Sequence, residues 1–278
     1  MSLNAGGQTY SEPGPLVQFL PKIQELLHFT ADGKGLGDHL RAGNFAVIDL
    51  ETTGTNKKRD TVWQVACASF RGFELDEHLN CVVSITREQF EQAFDGPQTD
   101  PEKEAKRQQV YDLVHLRWDR IEQEGRPGTE VASFLTKFLH GCPRPILGHN
   151  AMFFDLPMLD QWASNLCGRE VRFDRSRIID TGAAVKGGQI DVRPMRTETA
   201  DDLTDRIRKM RIKGVYWSMG YLAEQLVPDL DAGNAHDALF DCLMLGMFTD
   251  IMSRGYMVPG DGRMEYWMDL LHNWEQLN

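Results

Sequence analysis

The chain has 278 residues, of which 41% are hydrophobic, and its 30 basic and 41 acidic residues give a net charge of -11. This length and composition allow a substantial core and exclude collagen-like, disordered and disulfide-scaffold proteins. The negative balance argues against broad, nonspecific adhesion to nucleic acid, although a local basic strip can still hold a short strand.

The N-terminus and the cysteines indicate the compartment. Residues 1–14 are rich in Gly, Ser and Pro and predict a disordered or cloning-derived tail. They lack the charged start and apolar core of a signal peptide, and no apolar stretch is long enough to cross a bilayer. The five scattered cysteines form no CxxC pair, so we expect reduced thiols. We therefore expect a cytoplasmic protein without a membrane partner.

The first part of the chain predicts a helix followed by three strands. Residues 15–40 have apolar residues at helical spacing, which predicts a helical extension interrupted at Pro21, with a loop at 31–38. Three strand-like runs follow, at 45–50, 61–70 and 73–85. The Arg-Gly turn between the last two runs favours an antiparallel meander.

Strands and helices then alternate. A charged, helical region at 86–140 leads to a short apolar run at 145–150, which we expect to rejoin the sheet, and 176–181 predicts one more strand. Residues 155–166 have helical spacing with one apolar side, made of Leu156, Leu159, Trp162, Ala163 and Leu166.

The last third predicts a loop and three helices. We expect the polar segment 186–215 to be a long loop or insertion, and its basic cluster at 206–213 is typical of a solvated surface. Helical patterns follow at 217–226, 234–252 and 264–277. This order of elements indicates an α/β domain with a mixed β-sheet, at 41–255, and a C-terminal helical extension at 256–278.

Two carboxylates, Asp49 and Glu51, end the first predicted strand. Alternation puts residues i and i+2 on one face of a strand, so both carboxylates point the same way. Neighbouring carboxylates repel each other unless a cation or a proton intervenes. Taken alone, the pair is also explained by a strand that ends in solvent.

A second cluster lies in the stretch GHNAMFFD. Asp155 precedes a helix there, and it is either an N-cap or a metal ligand. His149 and Asn150 lie at the exit of a predicted strand, where loops often carry function.

A third cluster lies in GNAHDALFD. Asn234 and Asp237 resemble a capping pair, which gives Asp237 a structural role. We expect His236 in the first turn of the helix and Asp241 beyond it. Five helical residues separate two side chains by roughly 140°, so His236 and Asp241 are expected to do different jobs.

The three clusters together resemble the motifs of the DEDDh exonucleases, the DnaQ-like or ribonuclease T-like superfamily. They match in order: Asp-x-Glu in IDLETTG, His-Asn-x4-Asp in GHNAMFFD and His-x4-Asp in HDALFD. Such joint agreement is far more specific than any single motif. The resemblance covers about residues 44–253 and implies an α/β, ribonuclease H-like fold with a mixed β-sheet flanked by helices. The spacing between Asn150 and Asp155 suits the Trex-like and exonuclease I branches better than the proofreading subunits.

The resemblance implies hydrolysis of phosphodiester bonds at the 3′ end of single-stranded DNA or RNA, with release of nucleoside 5′-monophosphates. It also implies two Mg²⁺ or Mn²⁺ ions, which clamp the attacking and leaving oxygens and require carboxylate ligands. Asp49 is expected to bridge both ions, Glu51 and Asp241 to serve the nucleophile side, and Asp155 the leaving-group side. His236 is the expected general base, since its ordinary pKa of about 6.5 suits a neutral-pH proton acceptor.

Five further residues are expected to bind substrate: Thr52, Thr53, His149, Asn150 and Phe153. The threonines follow the Asp-x-Glu pair and offer groups to the terminal 3′-OH, but turn chemistry explains them equally well. His149 and Asn150 orient the scissile phosphate or have a structural role. Phe153 or its neighbour Phe154 stacks on a base, and the other belongs to the core.

Two other functions stay open. A nuclease-fold nucleic-acid-binding module with little turnover would be expected to lack an acting residue, whereas all five are present. A proofreading subunit would use the same chemistry beside a DNA polymerase, so a polymerase or a homo-oligomer stays open as a partner. Cysteine and serine hydrolases are excluded because no activating constellation is present and no GxSxG occurs.

Overall fold

The computed structural model describes residues 2–3, 9–10, 14–230, 235–257 and 260–277. Most of the predicted N-terminal tail therefore lies outside the described residues. Within it, strand β1 (Ser2–Leu3) pairs antiparallel with β2 (Thr9–Tyr10).

The centre of the molecule is a five-stranded mixed sheet with the strand order β5-β4-β3-β6-β7. Its strands are β3 (Phe45–Thr52), β4 (Val62–Arg71), β5 (Glu74–Val82), β6 (Ile146–Gly148) and β7 (Ile178–Asp180). Strands β3, β4 and β5 are antiparallel, and β6 and β7 run parallel to β3. The predicted meander and mixed sheet are confirmed.

Helices cover both faces of this sheet. The α-helices are α1 (Leu20–Gly33), α2 (Gly37–Arg41), α3 (Arg87–Glu91), α4 (Pro101–Leu113), α5 (Trp118–Glu124), α6 (Gly128–Gly141), α7 (Asp155–Cys167), α8 (Thr181–Gln189), α9 (Ala200–Lys209), α10 (Met219–Leu226), α11 (Ala238–Arg254) and α12 (Gly262–His272). Short 3-10 helices lie at Pro15–Phe19, Ala93–Asp95 and Trp274–Leu277. None of these described helices combines the length and apolar content that crossing a membrane requires.

Strand β3 is buried on both of its faces. Phe45 and Val47 pack with α1, α8 and α11, whereas Ile48 packs on the opposite side with α6 and α7. A strand covered on both faces needs apolar residues at nearly every position, which explains its continuous hydrophobic run. Asp49 and Glu51 continue the series of Phe45 and Val47, so alternation directs both acids toward the side of α11.

Helix α11 is the most deeply buried helix of the fold. Every residue from 238 to 253 is buried, and the helix lies against β3 and β4. Its buried Asp250 accepts hydrogen bonds from Arg254, Arg263 and the Trp267 indole, at 2.5, 2.7 and 2.9 Å. This network fastens the C-terminal helix α12 to α11.

Three sequence expectations need correction. Segment 186–215 is not a long loop, because it holds the end of α8 and all of α9. Helix α9 begins with a capping box and buries the apolar residues Ala200, Leu203 and Ile207. The loop expected at 31–38 shrinks to three residues between α1 and α2. Leu166 is 37% exposed and does not join the apolar side of α7, since it lies in the last turn.

Candidate functional site

The three predicted clusters meet in one cleft at the C-terminal end of β3. The cleft has a volume of about 640 Å³. Its lining includes all five residues that the motifs single out: Asp49, Glu51, Asp155, His236 and Asp241. These residues come from β3, the start of α7 and the start of α11, which explains how distant parts of the chain can serve one site.

Strand β3 supplies Asp49 and Glu51. The register with β4 shifts between Glu51 and Thr52, so the strand becomes irregular directly after the two acids. Glu51 is only 7% exposed, which removes the explanation that the strand simply ends in solvent. Gly54 follows in a positive-φ conformation, where a Cβ would lie 2.3 Å from Asp60 Oδ2, so this turn requires glycine.

Helix α7 supplies Asp155 at its first position. The N-cap is Phe154, and no side chain caps this helix, so the carboxylate of Asp155 is not used as a cap. The turn before the helix is closed by the Asn150 carbonyl, which accepts the backbone N–H groups of Phe153 and Phe154 at 3.1 and 3.0 Å. Asp155 is 4% exposed.

Asp237 and Asp241 on α11 have different roles. Asp237 is the N-cap, and its carboxylate accepts hydrogen bonds from Leu239 N, Gln64 Nε2 and Arg120 Nη1, at 3.1, 2.9 and 3.1 Å. These three contacts support the structural role that the sequence predicts for Asp237. The predicted capping partner Asn234 lies outside the described residues.

The sequence predicts His236 in the first turn of the helix, but the structure places it before the helix. It precedes the N-cap and has a φ of 72°, so the helical separation from Asp241 does not apply. Potential ligand atoms of Glu51, His236 and Asp241 instead lie within 4.8 Å of one another. A left-handed residue was not visible in the pattern of apolar and polar residues, which assumes regular helix geometry.

The carboxylates of the cleft perturb one another. Burial raises the pKa of Asp49 well above its usual range, and the negative charges of Asp241 and Asp155 raise it further. Burial, followed by the charge of Asp49, likewise raises the pKa of Glu51. Burial raises the pKa of both Asp155 and Asp241 to about 7. The set is therefore unfavourable when fully ionised unless positive charge is supplied.

The donor set fits divalent cations. Asp241 Oδ1 is buried and has no hydrogen-bond partner among the described residues. Buried polar atoms in native proteins are nearly always paired, so an unpaired carboxylate oxygen in this cleft is available to an ion. Carboxylate oxygens are the ligands that Mg²⁺ and Mn²⁺ prefer.

Only two of the five predicted substrate-binding residues line the cleft. Thr52 does so, and its hydroxyl donates to the Gly54 carbonyl at 2.8 Å. His149 also lines it, but both ring nitrogens have protein partners, the Thr181 hydroxyl at 3.1 Å and the Trp217 carbonyl. Burial lowers the pKa of His149 to about 4, so this ring is neutral at neutral pH.

The other three predicted substrate residues do not line the cleft. The hydroxyl of Thr53 accepts the Thr61 backbone N–H at 2.9 Å and holds the turn together. Asn150 and Phe153 lie against Arg208, which donates to Asn150 Oδ1 and lies over the Phe153 ring. The neighbour Phe154 lines the cleft in place of Phe153.

Several cleft residues were missed by the motif analysis. Phe94, Asp95, Val110 and Val114 come from the charged region before α5 and form one wall of the cleft. Their sequence neighbourhood has few apolar residues, so periodicity alone did not mark them. Arg59, in the loop between β3 and β4, also lines the cleft and pairs with Asp95 at 2.5 Å.

Comparison with known proteins adds information on the fold. No protein-family model and no curated protein sequence matches the chain. A zinc-bound complex of E. coli exonuclease I with single-stranded DNA has a TM-score of 0.50 and 16% identity, covering 76% of this chain and 40% of that one. The E. coli enzyme in complex with a dT13 oligonucleotide has a TM-score of 0.50 and 15% identity, covering 84% and 45%.

A further exonuclease I structure has a TM-score of 0.50 and 14% identity, covering 83% of this chain and 43% of that one. The chain thus spans less than half the length of these solved structures. At such identities the likeness shows the fold. The chain has a ribonuclease H-like fold, a mixed five-stranded sheet flanked by helices, which it shares with exonuclease I.

Proposed function

We propose that this chain is a metal-dependent 3′-to-5′ exonuclease that hydrolyses phosphodiester bonds at the 3′ end of single-stranded DNA or RNA and releases nucleoside 5′-monophosphates. The observation that carries the proposal is the convergence of Asp49, Glu51, Asp155, His236 and Asp241 on one cleft. These are the residues that the DEDDh resemblance names, and they come from three separate parts of the chain.

The four carboxylates would hold two Mg²⁺ or Mn²⁺ ions, with Asp49 between both, Glu51 and Asp241 on the nucleophile side and Asp155 on the leaving-group side. When bound, such ions stabilise the attacking and leaving oxygens of an in-line displacement. The ions would also offset the repulsion among the carboxylates, since each ion supplies positive charge to the acidic set.

His236 is the proposed proton acceptor for the attacking water. Burial, followed by the charge of His115, lowers the pKa of His236 below its usual value, so the ring is neutral and able to accept a proton at neutral pH. The bond from the His236 backbone N–H to Asp241 Oδ2, at 3.3 Å, ties the histidine to the acidic set. This bond keeps His236 next to the carboxylates that would hold the ions.

Single-stranded nucleic acid is the proposed substrate class. The exonuclease I structures that share the fold include complexes with single-stranded DNA, which supports a single strand as the ligand. The protein is acidic overall, so we expect a local contact with a strand end rather than adhesion along a duplex.

The test is digestion of matched DNA and RNA oligonucleotides, labelled at the 5′ or the 3′ end, in Mg²⁺, Mn²⁺ or EDTA. We expect the 5′-labelled strand to shorten stepwise, the 3′ label to appear at once in mononucleotide, and EDTA to stop both. Early release of the 5′ label or of internal fragments would overturn the assigned polarity. A strand that binds but is never shortened would instead favour the binding module.

A further inference from the structure

An arginine outside the predicted motifs lies next to the turn that carries Asp155. Arg208, near the C-terminal end of α9, places its guanidinium over the rings of Trp217 and Phe153, 4.1 and 5.1 Å from their centroids. Its Nη2 donates to the side-chain oxygen of Asn150. Arg208 thus contacts both Asn150 and Phe153, two of the residues predicted to bind substrate.

Other residues hold the backbone of the contacted turn, since the Lys57 ammonium donates to the Phe153 carbonyl at 3.2 Å and the Asp180 carboxylate accepts the Met152 backbone N–H at 3.3 Å. Arg208 instead contacts the side chains of Asn150 and Phe153. Asn150 has a φ of 76°, and its carbonyl closes the turn by accepting from Phe153 and Phe154. Asp155 begins α7 immediately afterwards without a side-chain cap on the helix. The direction of Asp155 therefore depends on how the preceding turn is held.

Arg208 is itself fixed from behind. Lys186 is only 6% exposed, and its ammonium group donates to the carbonyl of Arg208 at 3.0 Å and to that of Met210. A cation at the last carbonyls of a helix satisfies acceptors that have no partner within the helix. On the other side, Trp217 is held by His149, whose ring bonds to the Trp217 carbonyl.

We infer that Arg208 is a positioning residue for Asp155, acting by clamping Asn150 and Phe153 while Lys186 holds its backbone. The inference rests on the proposed function of the cleft. It makes segment 186–215 a working part of the site rather than an insertion. A lysine would not replace the arginine. It has neither a planar group that lies over both rings nor N–H donors held in a fixed, planar arrangement.

The expected effect is on turnover rather than on strand binding. A misplacement of about 1 Å in a catalytic group can cost about 10²-fold in rate. If Arg208 instead contacted a substrate phosphate, its replacement would raise KM and weaken the salt dependence of strand binding. The split between kcat and KM therefore separates positioning from phosphate binding.

The experiment compares Arg208→Met, Arg208→Lys, Asn150→Ala and the double variant Arg208→Met with Asn150→Ala. Lys209→Met is the matched control, since Lys209 is the next residue on α9 and makes an exposed pair with Asp205. The readouts are kcat and KM on a single-stranded oligonucleotide, and Mn²⁺ affinity by calorimetry without nucleic acid. Thermal unfolding checks that each variant is folded.

We expect Arg208→Met and Arg208→Lys to lower kcat by about 10²-fold with little change in KM, and to weaken Mn²⁺ binding. The double variant should lose no more than the worse single variant, because the contact that Asn150→Ala removes is already broken by Arg208→Met. Lys209→Met should match the wild type. If Arg208→Met fails to fold, Arg208→Lys, which keeps the stem and charge, decides the question.

The inference is overturned if kcat holds while KM rises and the salt dependence weakens, or if the losses of Arg208→Met and Asn150→Ala add. It is also overturned if Mn²⁺ affinity is unchanged in the arginine variants. A wild-type protein that digests nothing, but whose Mn²⁺ affinity falls on Arg208→Met, would reject the exonuclease proposal and retain the positioning of Asp155.

Discussion

The backbone N–H of His236 donates to Oδ2 of Asp241 at 3.3 Å, which joins the residue before the N-cap of α11 to an acid in the first turn of the helix. His236 reaches this position through a left-handed φ of 72°. Such a conformation is unfavourable for a residue other than glycine, and strain of this kind concentrates at functional sites. The second oxygen of Asp241, Oδ1, has no partner within the part of the chain that is described, so it stays available in the cleft.

Replacing a ligand acid should abolish digestion without unfolding the protein. We expect Asp49→Asn and Asp241→Asn to lose metal-dependent mononucleotide release, because each removes a charged oxygen ligand. The thermal midpoint in EDTA should stay the same or rise, since buried like charges are relieved. Glu130→Gln, at an exposed acid on α6, is the control. Undiminished release by the Asp49 variant would refute the assignment.

The histidine should matter for turnover more than for binding. His236→Ala removes the proposed proton acceptor and should lower kcat by about 10²- to 10⁴-fold, the usual contribution of a general base. Strand affinity, measured by fluorescence anisotropy in EDTA, should change much less. Parallel loss of affinity and turnover would mean that His236 has a structural role.

The protein without metal should lose stability as pH rises. Burial raises the pKa of Asp155 and Asp241 to about 7. Between the ordinary pKa of an aspartate, about 4, and this raised value, the folded state binds more protons than the unfolded state. Stability then falls with increasing pH between the unfolded value, about 4, and the folded value. The loss is complete above the folded pKa.

Thermal unfolding in EDTA between pH 5 and pH 8 measures this effect, with the unfolding midpoint expected to fall by several degrees. Saturating Mn²⁺ should remove most of the fall, because the ion binds the ionised carboxylates of the folded state alone. Asp241→Asn should flatten the EDTA curve. A midpoint that rises across this range would contradict the raised pKa values.

The neighbouring acid Asp237 should behave oppositely to Asp241. Asp237→Ala removes the N-cap of α11 and breaks the ion pair with Arg120, whose side chain is 21% exposed and then pairs with Glu124 alone. The expected loss of unfolding free energy is on the order of 2–4 kcal/mol, from the cap and the broken pair together. Urea unfolding measures it, with Asp241→Asn as the comparison. A stable Asp237→Ala variant would show that the cap contributes little.

The sequence was sufficient for elements whose pattern matches their environment. Strand β3 is apolar at successive positions because both of its faces are covered, and this run located the strand and the acids at its end. Helix α11 was equally clear, since every residue from 238 to 253 is buried. In both cases burial and local pattern agree.

The sequence was insufficient to predict local structure that depends on a few residues or on contacts between distant parts of the chain. Helix α9 is strongly charged, and its buried apolar residues are Ala200, Leu203 and Ile207 alone, so the sequence pattern predicts a loop there. The left-handed φ of His236 moves its ring off the helical wheel, which no periodicity reveals. Arg208 was counted in a solvated basic cluster because its stacking partners, Phe153 and Trp217, are distant in sequence.

The central claim is that Asp49, Glu51, Asp155 and Asp241 together hold divalent cations. Crystals grown with Mn²⁺ and measured at the manganese absorption edge test it most directly, since anomalous scattering locates the ions independently of any assay. The account predicts two anomalous peaks in the cleft, each within bonding distance of these carboxylates, and their loss in Asp49→Asn. Peaks confined to the surface, with none in the cleft, would contradict it.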